Sequence, residues 1–330
     1  MCRNAPVFIG LPVYNGERFL REAIESVLGQ NFQDFSLFIS DNASSDATWE
    51  ICQEYAKQDK RIILNRNETN IGSVANFRLV LERSVAPFFM WMAHDDILGL
   101  TYVGSCYEFL RNHADYVLCS TRNALIDDSG QVLSVTTTDT NLDSGDPVAR
   151  WKKLLENLLP TLPYYGLMRR FFMRSEILCS GEINAEDILL LDMVMRGKFC
   201  MLEEVARFSR IRTLPADPRA MVQRIQKVFH AHCPQMLGNL GFCLRVYAAM
   251  VSFCMKSELT RSRRMQLLGI TTKKFLPYAL YRDFEDMVVR VTSRSPSLYH
   301  LLREIRIHGE SRIKNLVESI GFRHHKPRSS

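Results

Sequence analysis

The 330-residue chain lacks an apolar run long enough to cross a bilayer. Its longest apolar stretches, near Val85–Ala93 and Val246–Met255, fall well short of the ~20 residues that a spanning helix needs. Among nine cysteines there is no C-x-x-C pair and no Cys/His spacing suited to zinc, and nine is an odd count. Cys52, Cys106, Cys119 and Cys243 sit in apolar surroundings, where a free thiol behaves as a small hydrophobe. Met1–Ala5 is polar and Val7–Leu11 is too short for a signal-peptide core, so none is expected. These absences point to a reducing, cytoplasmic setting, with peripheral contact at the inner face of the membrane as the one alternative. No internal repeat and no low-complexity tract occurs. The charge imbalance is small, at +6, and the 46% apolar and 24% charged content excludes disorder over most of the chain.

What is present is alternation. Val7–Leu11 is a compact β-run that Pro12 is expected to stop. From Arg18 to Leu28, Phe19, Leu20, Ala23, Ile24, Val27 and Leu28 recur at helical spacing, and Gly29 suits a left-handed helix end. Phe35–Ile39, Ile62–Leu64, Phe88–Met92 and Tyr116–Cys119 read as further strands. Helices are expected between them: one capped by Ser44, Ser45 or Asp46, one capped by Ser73, and one over 100–112. Asp127-Asp128-Ser129-Gly130 reads as a hairpin turn. Such alternation with short connections predicts an α/β fold whose central, mainly parallel sheet is covered by helices on both faces.

In such sheets ligands bind at the carboxyl ends of the strands. The polar, non-periodic residues fall there: Tyr14-Asn15-Gly16-Glu17, then Asp41 through Asp46, then His94-Asp95-Asp96. Adjacent carboxylates at a strand end repel each other unless a cation relieves them, and hard oxygen ligands suit Mg2+ or Mn2+. Asp95 and Asp96 either bind such an ion or form an exposed turn that caps the next helix. Asp41 either accepts a hydrogen bond from a base edge or ribose hydroxyl, or opens an Asx turn. Tyr14 is either a stacking face for a base or a half-buried rim residue.

Five ordered segments narrow the choice: 7–17, 23–30, 40–48, 70–77 (Asn-Ile-Gly-Ser-Val-Ala-Asn-Phe) and 93–97 (Ala-His-Asp-Asp-Ile). Together they resemble the family 2 glycosyltransferases of the GT-A fold over about residues 5–130. The resemblance implies that Pro12 and Tyr14 line the nucleobase with Glu17 close by, and that Asp41 holds the base, usually uracil. It implies that Asp95 and Asp96 serve the metal and ribose, with Asp96 the direct metal ligand. Ala93 stands where the family has a further aspartate, which leaves one acidic group fewer for the cation. The segment 184–199 resembles the family's acceptor-side helix, whose acid acts as general base in an inverting transfer; Asp187 is the first choice and Glu186 the second. A helix N-terminus enriched in acids by the macrodipole is the plainer reading of that pair. Arg210 and Arg212 fall where the family often has a basic element near the diphosphate.

The expected organisation is a GT-A domain over 1–215, with a donor-nucleotide half (1–120) and an acceptor half (121–215), followed by a helical C-terminal region over 216–330. The expected activity is transfer of a sugar from a nucleoside-diphosphate donor, UDP-linked by the family's habit, to a glycan or lipid-linked acceptor in cell-surface polysaccharide or glycan assembly. A sugar nucleotidyltransferase is the enzymatic alternative, but its loop handling a triphosphate is glycine-rich and basic, whereas residues 12–17 here are acidic. A non-catalytic nucleotide- or nucleic-acid-binding protein is the other alternative. No nucleic acid is expected, since Phe275, Tyr278 and Tyr281 beside Lys273 and Lys274 equally well pack a helix. The C-terminal helices that carry basic residues such as Arg263 and Arg264 either cover the catalytic domain, form a homodimer contact, or meet an anionic membrane.

Overall fold

The computed structural model describes residues 5–136, 141–157, 163–175, 177, 185–211 and, with gaps, 247–276. The chain divides into two compact units, Met1–Met236 with Leu259–Leu267, and Leu237–Glu258 with Leu268–Ser330. The first unit carries strands β1 (Val7–Val13), β2 (Phe35–Asp41), β3 (Ile62–Arg66), β4 (Phe88–Trp91), β5 (Ile97–Leu98), β6 (Tyr116–Ile126), β7 (Val132–Val135), β8 (Leu167–Arg169) and β9 (Lys198–Arg210). Its helices are α1 (Leu20–Leu28), α2 (Thr48–Gln58), α3 (Ser73–Glu82), α4 (Tyr102–Asn112), α5 (Pro147–Asn157) and α6 (Ala185–Arg196). In the second unit Tyr247 Oη lies 2.8 Å from Thr272 Oγ1, and Met250, Cys254 and Thr271 are buried.

The strands form one sheet ordered β3-β2-β1-β4-β8-β6-β9-β5, with β7 paired to β6. β3, β2, β1 and β4 run parallel; β8 enters antiparallel between β4 and β6; β6 and β9 are parallel. The expected mainly parallel sheet is therefore present, with an antiparallel insertion. Burial explains why β1 and β2 read as continuous apolar runs, since every residue of both is buried. Val7, Ile9, Leu11 and Val13 share a core with the buried faces of α1, α2 and α4. The alternate residues serve the other side: Phe8 stacks near Phe38 and Phe89, and a Cβ on Gly10 would meet Val80 of α3 at 2.0 Å.

Four local expectations change. Pro12 does not stop β1, which continues to Val13. Met92 N–H bonds to Gly10 O, so by alternation the missing donor of Pro12 faces past Trp91, the last residue of β4. Gly29 ends α1 at φ −77°, a right-handed conformation, with its N–H on Glu25 O. Gly72, at φ 88°, is the N-cap of α3, and Ser73 is the first helical residue. β6 extends beyond Cys119 to Ile126, where the expected turn closes onto β7 with Gly130 at φ 83°. Asp127 Oδ1 accepts from the N–H groups of Ser129 and Gln131 within that turn.

Cys52, Cys106 and Cys119 are free and buried, as the sequence suggests; Cys243 lies outside the described residues. No helix among the described residues is long and apolar enough to cross a membrane. In the C-terminal half a helix covers 261–273, with Leu267 buried and Arg263 Nη1 3.6 Å from Asp146 Oδ1. Lys274 and Phe275, like Tyr278 and Tyr281, fall outside the described residues.

Candidate functional site

Two loops at the carboxyl ends of β1 and β2 are stitched to each other. Asn15 N–H donates to Ser44 Oγ at 2.9 Å, Gly16 N–H to Thr48 Oγ1 at 2.8 Å, and Glu17 N–H to Asp46 Oδ2 at 3.2 Å. The return bonds run from Ser45 N–H to Asn15 Oδ1 at 3.0 Å and from Ala47 N–H to Glu17 Oε2 at 3.0 Å. Asn15 and Ala43 both take positive φ, 50° and 59°, a conformation that Asn tolerates through its short polar side chain. The N-cap of α2 is Ala47, which makes no side-chain cap bond, rather than any of the three expected residues; Asp46, one position earlier, accepts from Thr48 N–H through Oδ1. Glu17 thus ties down the neighbouring loop, while Tyr14 stands 46% exposed at the rim and Pro12 is buried beneath it.

Asp41 closes β2 with no exposed surface. Its Oδ1 accepts from Ser44 N–H, three residues on, at 3.1 Å, so it folds its own loop with a bond one residue longer than the Asx turn expected from the sequence. Its Oδ2 lies 3.1 Å from Arg66 Nε as an ion pair, outside hydrogen-bonding geometry, and has no hydrogen bond among the described residues. One oxygen of Asp41 thus shapes the loop, and the other faces Arg66. Burial, reinforced by the charge of Asp41, pushes the Cys52 thiol beneath up to about 12. Arg66, whose guanidinium carbon lies 5.3 Å from the Trp49 ring centroid, also donates to Ser44 O. Sequence reasoning missed Arg66; its position at the end of β3, one strand from Asp41, is the signal that marks it.

Behind Asp41 lies an asparagine network that the segment 70–77 contributes to. Asn76 exchanges bonds with Ser40, from Nδ2 to the Ser40 carbonyl at 2.9 Å and from Ser40 Oγ to Oδ1 at 2.7 Å. Asn67 donates to Asn42 and Asn76, and Asn42 Oδ1 accepts from Ile71 N–H. These bonds fix the turn before α3 against the ends of β2 and β3.

The aspartate pair lies in the loop after β4, and β1 separates β4 from β2, the strand that ends at Asp41. The two members differ. Asp96 is 6% exposed, and both of its oxygens are engaged by β9. Arg207 Nη2 donates to Oδ2 at 2.8 Å, Ser209 Oγ to Oδ2 at 3.2 Å, and Arg210 N–H to Oδ1 at 3.1 Å. Asp95 is half-buried, and its carbonyl accepts from Arg210 Nε at 3.1 Å. The expectation that Asp96 is the direct metal ligand meets an obstacle here: a cation there would have to displace a buried guanidinium. Arg207 and Ser209 were not singled out from the sequence, because nothing in the periodicity of β9 says that its end reaches the loop after β4.

Arg210 has no exposed side-chain surface. Its guanidinium reaches Glu22 Oε2 at 2.7 Å and the carbonyls of Asp127 and Asp128 at 2.9 and 2.8 Å, over the Phe19 ring. Arg210 thereby joins α1, the aspartate loop and the β6–β7 turn. Arg212 lies outside the described residues. Glu186 and Asp187 fall in the first turn of α6, where the backbone alone is described. His94 packs against the β1 loop: a Cβ on Gly16 would lie 2.8 Å from its Cδ2 and 2.7 Å from Val13 Cγ2.

No group of three or more His, Cys, Asp or Glu suited to a metal occurs among the described residues. Mg2+ or Mn2+ commonly takes only one or two carboxylates and completes its shell with water and substrate phosphate, and Asp95 and Asp96 are the carboxylates in the loop after β4.

Comparison with known proteins gives a consistent result. The family described as Glycosyl transferase family 2 matches residues 8–174, half of the chain. An uncharacterized glycosyltransferase of Haemophilus influenzae is 30% identical over 142 residues, covering 42% of this chain and 56% of its own. The putative glycosyltransferase EpsE of Bacillus subtilis is 30% identical over 131 residues, 39% of this chain and 47% of its own. The matched segment thus spans about half the length of these relatives. Among solved structures, S. aureus TarS 1–349 in complex with UDP-GlcNAc superposes with a TM-score of 0.56 at 15% identity, over 81% of this chain and 72% of that one. The mannosyltransferase PcManGT from Pyrobaculum calidifontis, in complex with GDP-Man and Mn2+, gives a TM-score of 0.53 at 10% identity, over 96% and 84%. At these identities the structural likeness is one of fold: it is the GT-A glycosyltransferase architecture expected from the sequence.

Proposed function

The chain belongs to glycosyl transferase family 2, and from that premise we propose that it transfers a sugar from a UDP-linked donor to an acceptor hydroxyl with inversion. The observation that carries this reading is Asp41: a buried carboxylate at a strand end, with one oxygen fixed by its own loop and the other lacking a hydrogen bond among the described residues. A donor N–H on a base edge suits that oxygen, and Tyr14 at the rim supplies a stacking face. Asp41 and the aspartate pair follow β2 and β4, on either side of β1, at the carboxyl ends of parallel strands where such sheets bind their ligands. The UDP-GlcNAc held by TarS supports the choice of uridine, and the fold alone does not decide between donors.

Asp96 and Asp95 are the carboxylates we assign to the metal and the ribose, and the hydrogen bonds of Asp96 to Arg207, Ser209 and Arg210 would have to rearrange for it to serve as a ligand. Bound there, Mg2+ or Mn2+ supplies Lewis acidity toward the diphosphate leaving group, and the Mn2+ in PcManGT supports the same requirement here. The chain's own residues do the remainder. Asp41 and Tyr14 orient the nucleotide, and Asp187 or Glu186 at the start of α6 takes the proton of the acceptor hydroxyl. The acceptor oxygen forms its bond to the anomeric carbon as the bond from that carbon to the donor phosphate breaks. The acceptor class that fits the family's setting is a growing glycan or lipid-linked glycan.

The test is a donor screen. The protein is incubated with UDP-, GDP- and dTDP-sugars and Mn2+, and nucleoside diphosphate release is followed. Release of UDP, suppressed by EDTA, is expected. Release of GDP or dTDP alone would refute the assigned nucleotide, and pyrophosphate from UTP plus a sugar phosphate would refute the reaction class.

A further inference from the structure

Two apolar side chains stand out from the edge of the sheet opposite the aspartate loop. Among the described residues, Val85 and Phe171 are the most exposed large hydrophobic groups, at 90% and 89%. Val85 lies in the loop between α3 and β4, and Phe171 in the turn that follows β8. Phe88 pairs antiparallel with Arg169, so the start of β4 meets the end of β8, and Arg170 N–H donates to Pro87 O at 2.9 Å between the two loops. Each side chain is held outward by its neighbours. Ser84 and Ala86 are buried on either side of Val85. Met173, also buried, closes the turn around Phe171 with its N–H on Arg170 O, and its own carbonyl accepts from Arg170 Nη1 at 2.9 Å. Single exposed apolar residues are ordinary on a protein surface, but two on adjoining loops, each backed by buried neighbours, make a projecting apolar corner.

The charge around this corner is basic. Arg83 is exposed at the C-terminal end of α3, two residues before Val85, and Arg174 follows Phe171 with its side chain 52% exposed. The nearby acids are already engaged: Glu82 pairs with Arg78 at 2.8 Å, and Asp192, which Arg174 faces at 3.8 Å, is buried and also bound by Arg196. We propose that the corner docks on an anionic lipid surface, with Phe171 and Val85 entering the interface and Arg83, Arg170 and Arg174 turned toward the acidic headgroups. A second copy of the chain suits the corner less, because a two-fold contact would set these arginines against their own counterparts. The aspartate loop leaves β4 at its other end, so docking here leaves the donor loops uncovered and requires no particular donor.

The experiment is co-sedimentation of the full chain with vesicles of phosphatidylcholine alone and of phosphatidylcholine mixed with phosphatidylglycerol. The wild type is compared with Phe171→Ser, Val85→Ser and Arg83→Gln. All three side chains are exposed, so thermal melting is expected to leave the four proteins alike. The wild type is expected to bind the mixed vesicles, and to bind them less as salt screens the attraction. Phe171→Ser is expected to weaken that binding by about ten-fold, and Val85→Ser and Arg83→Gln by about three-fold each. A wild type that does not sediment with the mixed vesicles overturns the proposal. Equal binding by the wild type and Phe171→Ser overturns it too, since attachment would then run through another part of the chain, such as the basic C-terminal region. Sedimentation velocity without lipid tests the rival occupant: a wild-type dimer that Phe171→Ser separates into monomers would give the corner to a second copy and overturn lipid docking.

Discussion

At the scale of single residues, the site depends on which atoms already have partners. Asp41 and Asp96 look alike in sequence, as carboxylates at strand ends, yet their oxygens differ. One oxygen of Asp41 has no hydrogen bond among the described residues, whereas Asp96 is engaged on both. That distinction was not legible in the sequence, because it depends on Arg207, 111 positions away from Asp96. Gly16 illustrates a constraint of another kind. Its Cβ would fall 2.7 Å from Val13 Cγ2 and 2.8 Å from His94 Cδ2, so a side chain must push apart the β1 loop and the residue beside Asp95. Gly16→Ala is expected to destabilise the fold by about 1–3 kcal/mol, read by urea denaturation. The same variant is expected to weaken UDP binding, and wild-type values for both would show that His94 yields without consequence.

At the scale of elements, hydrophobic periodicity located the strands and helices of the first half because each is a regular, locally determined unit. β1, β2, α1 and α4 fall within a few residues of their expected places. What periodicity does not contain is pairing. That β8 inserts antiparallel between β4 and β6, or that Ile97–Leu98 forms β5 against β9, follows from long-range contacts that leave no spacing signal. Pro12 and Gly29 misled for a related reason: each was read by local rules, and the neighbouring strand and helix decided otherwise. The α2–β3 connection shows how a turn is locked between elements. Asp59 accepts from the N–H and guanidinium of Arg61, which also reaches Gln33 and the carbonyl of Leu28. The Arg61 side chain holds the Asp59 carboxyl below the usual carboxylate range. A folded-state value below the unfolded one means that this stability is present above the unfolded value of about 4, and is lost as pH falls through the lower one. Asp59→Asn is therefore expected to flatten the fall of Tm with pH below about 4, and a curve parallel to the wild type would contradict the assignment.

At the scale of the molecule, the α/β architecture and the family were readable because five segments occur in one order along the first third of the chain, and the fold brings three of their loops to one edge of the sheet. Asp41, the Asn15–Glu17 loop and Asp95 follow neighbouring strands in the order β2-β1-β4, which no single motif states. The resemblance pointed to Arg210 as a basic element near a diphosphate, and its guanidinium is held at that edge by Glu22 and the carbonyls of Asp127 and Asp128. The acceptor side was less legible, because its chemistry rests on a helix start, and acidic residues are common at helix starts for electrostatic reasons alone. The most direct test of the account is a calorimetric titration of the wild type and Asp41→Asn with UDP, in Mn2+ and then in EDTA. Binding by the wild type is expected to strengthen with Mn2+, and Asp41→Asn to lose about ten-fold or more under both conditions, as when a buried acceptor loses its charge. Equal UDP affinity in the two proteins would contradict it, because the carboxylate on which the site is built would then touch no nucleotide.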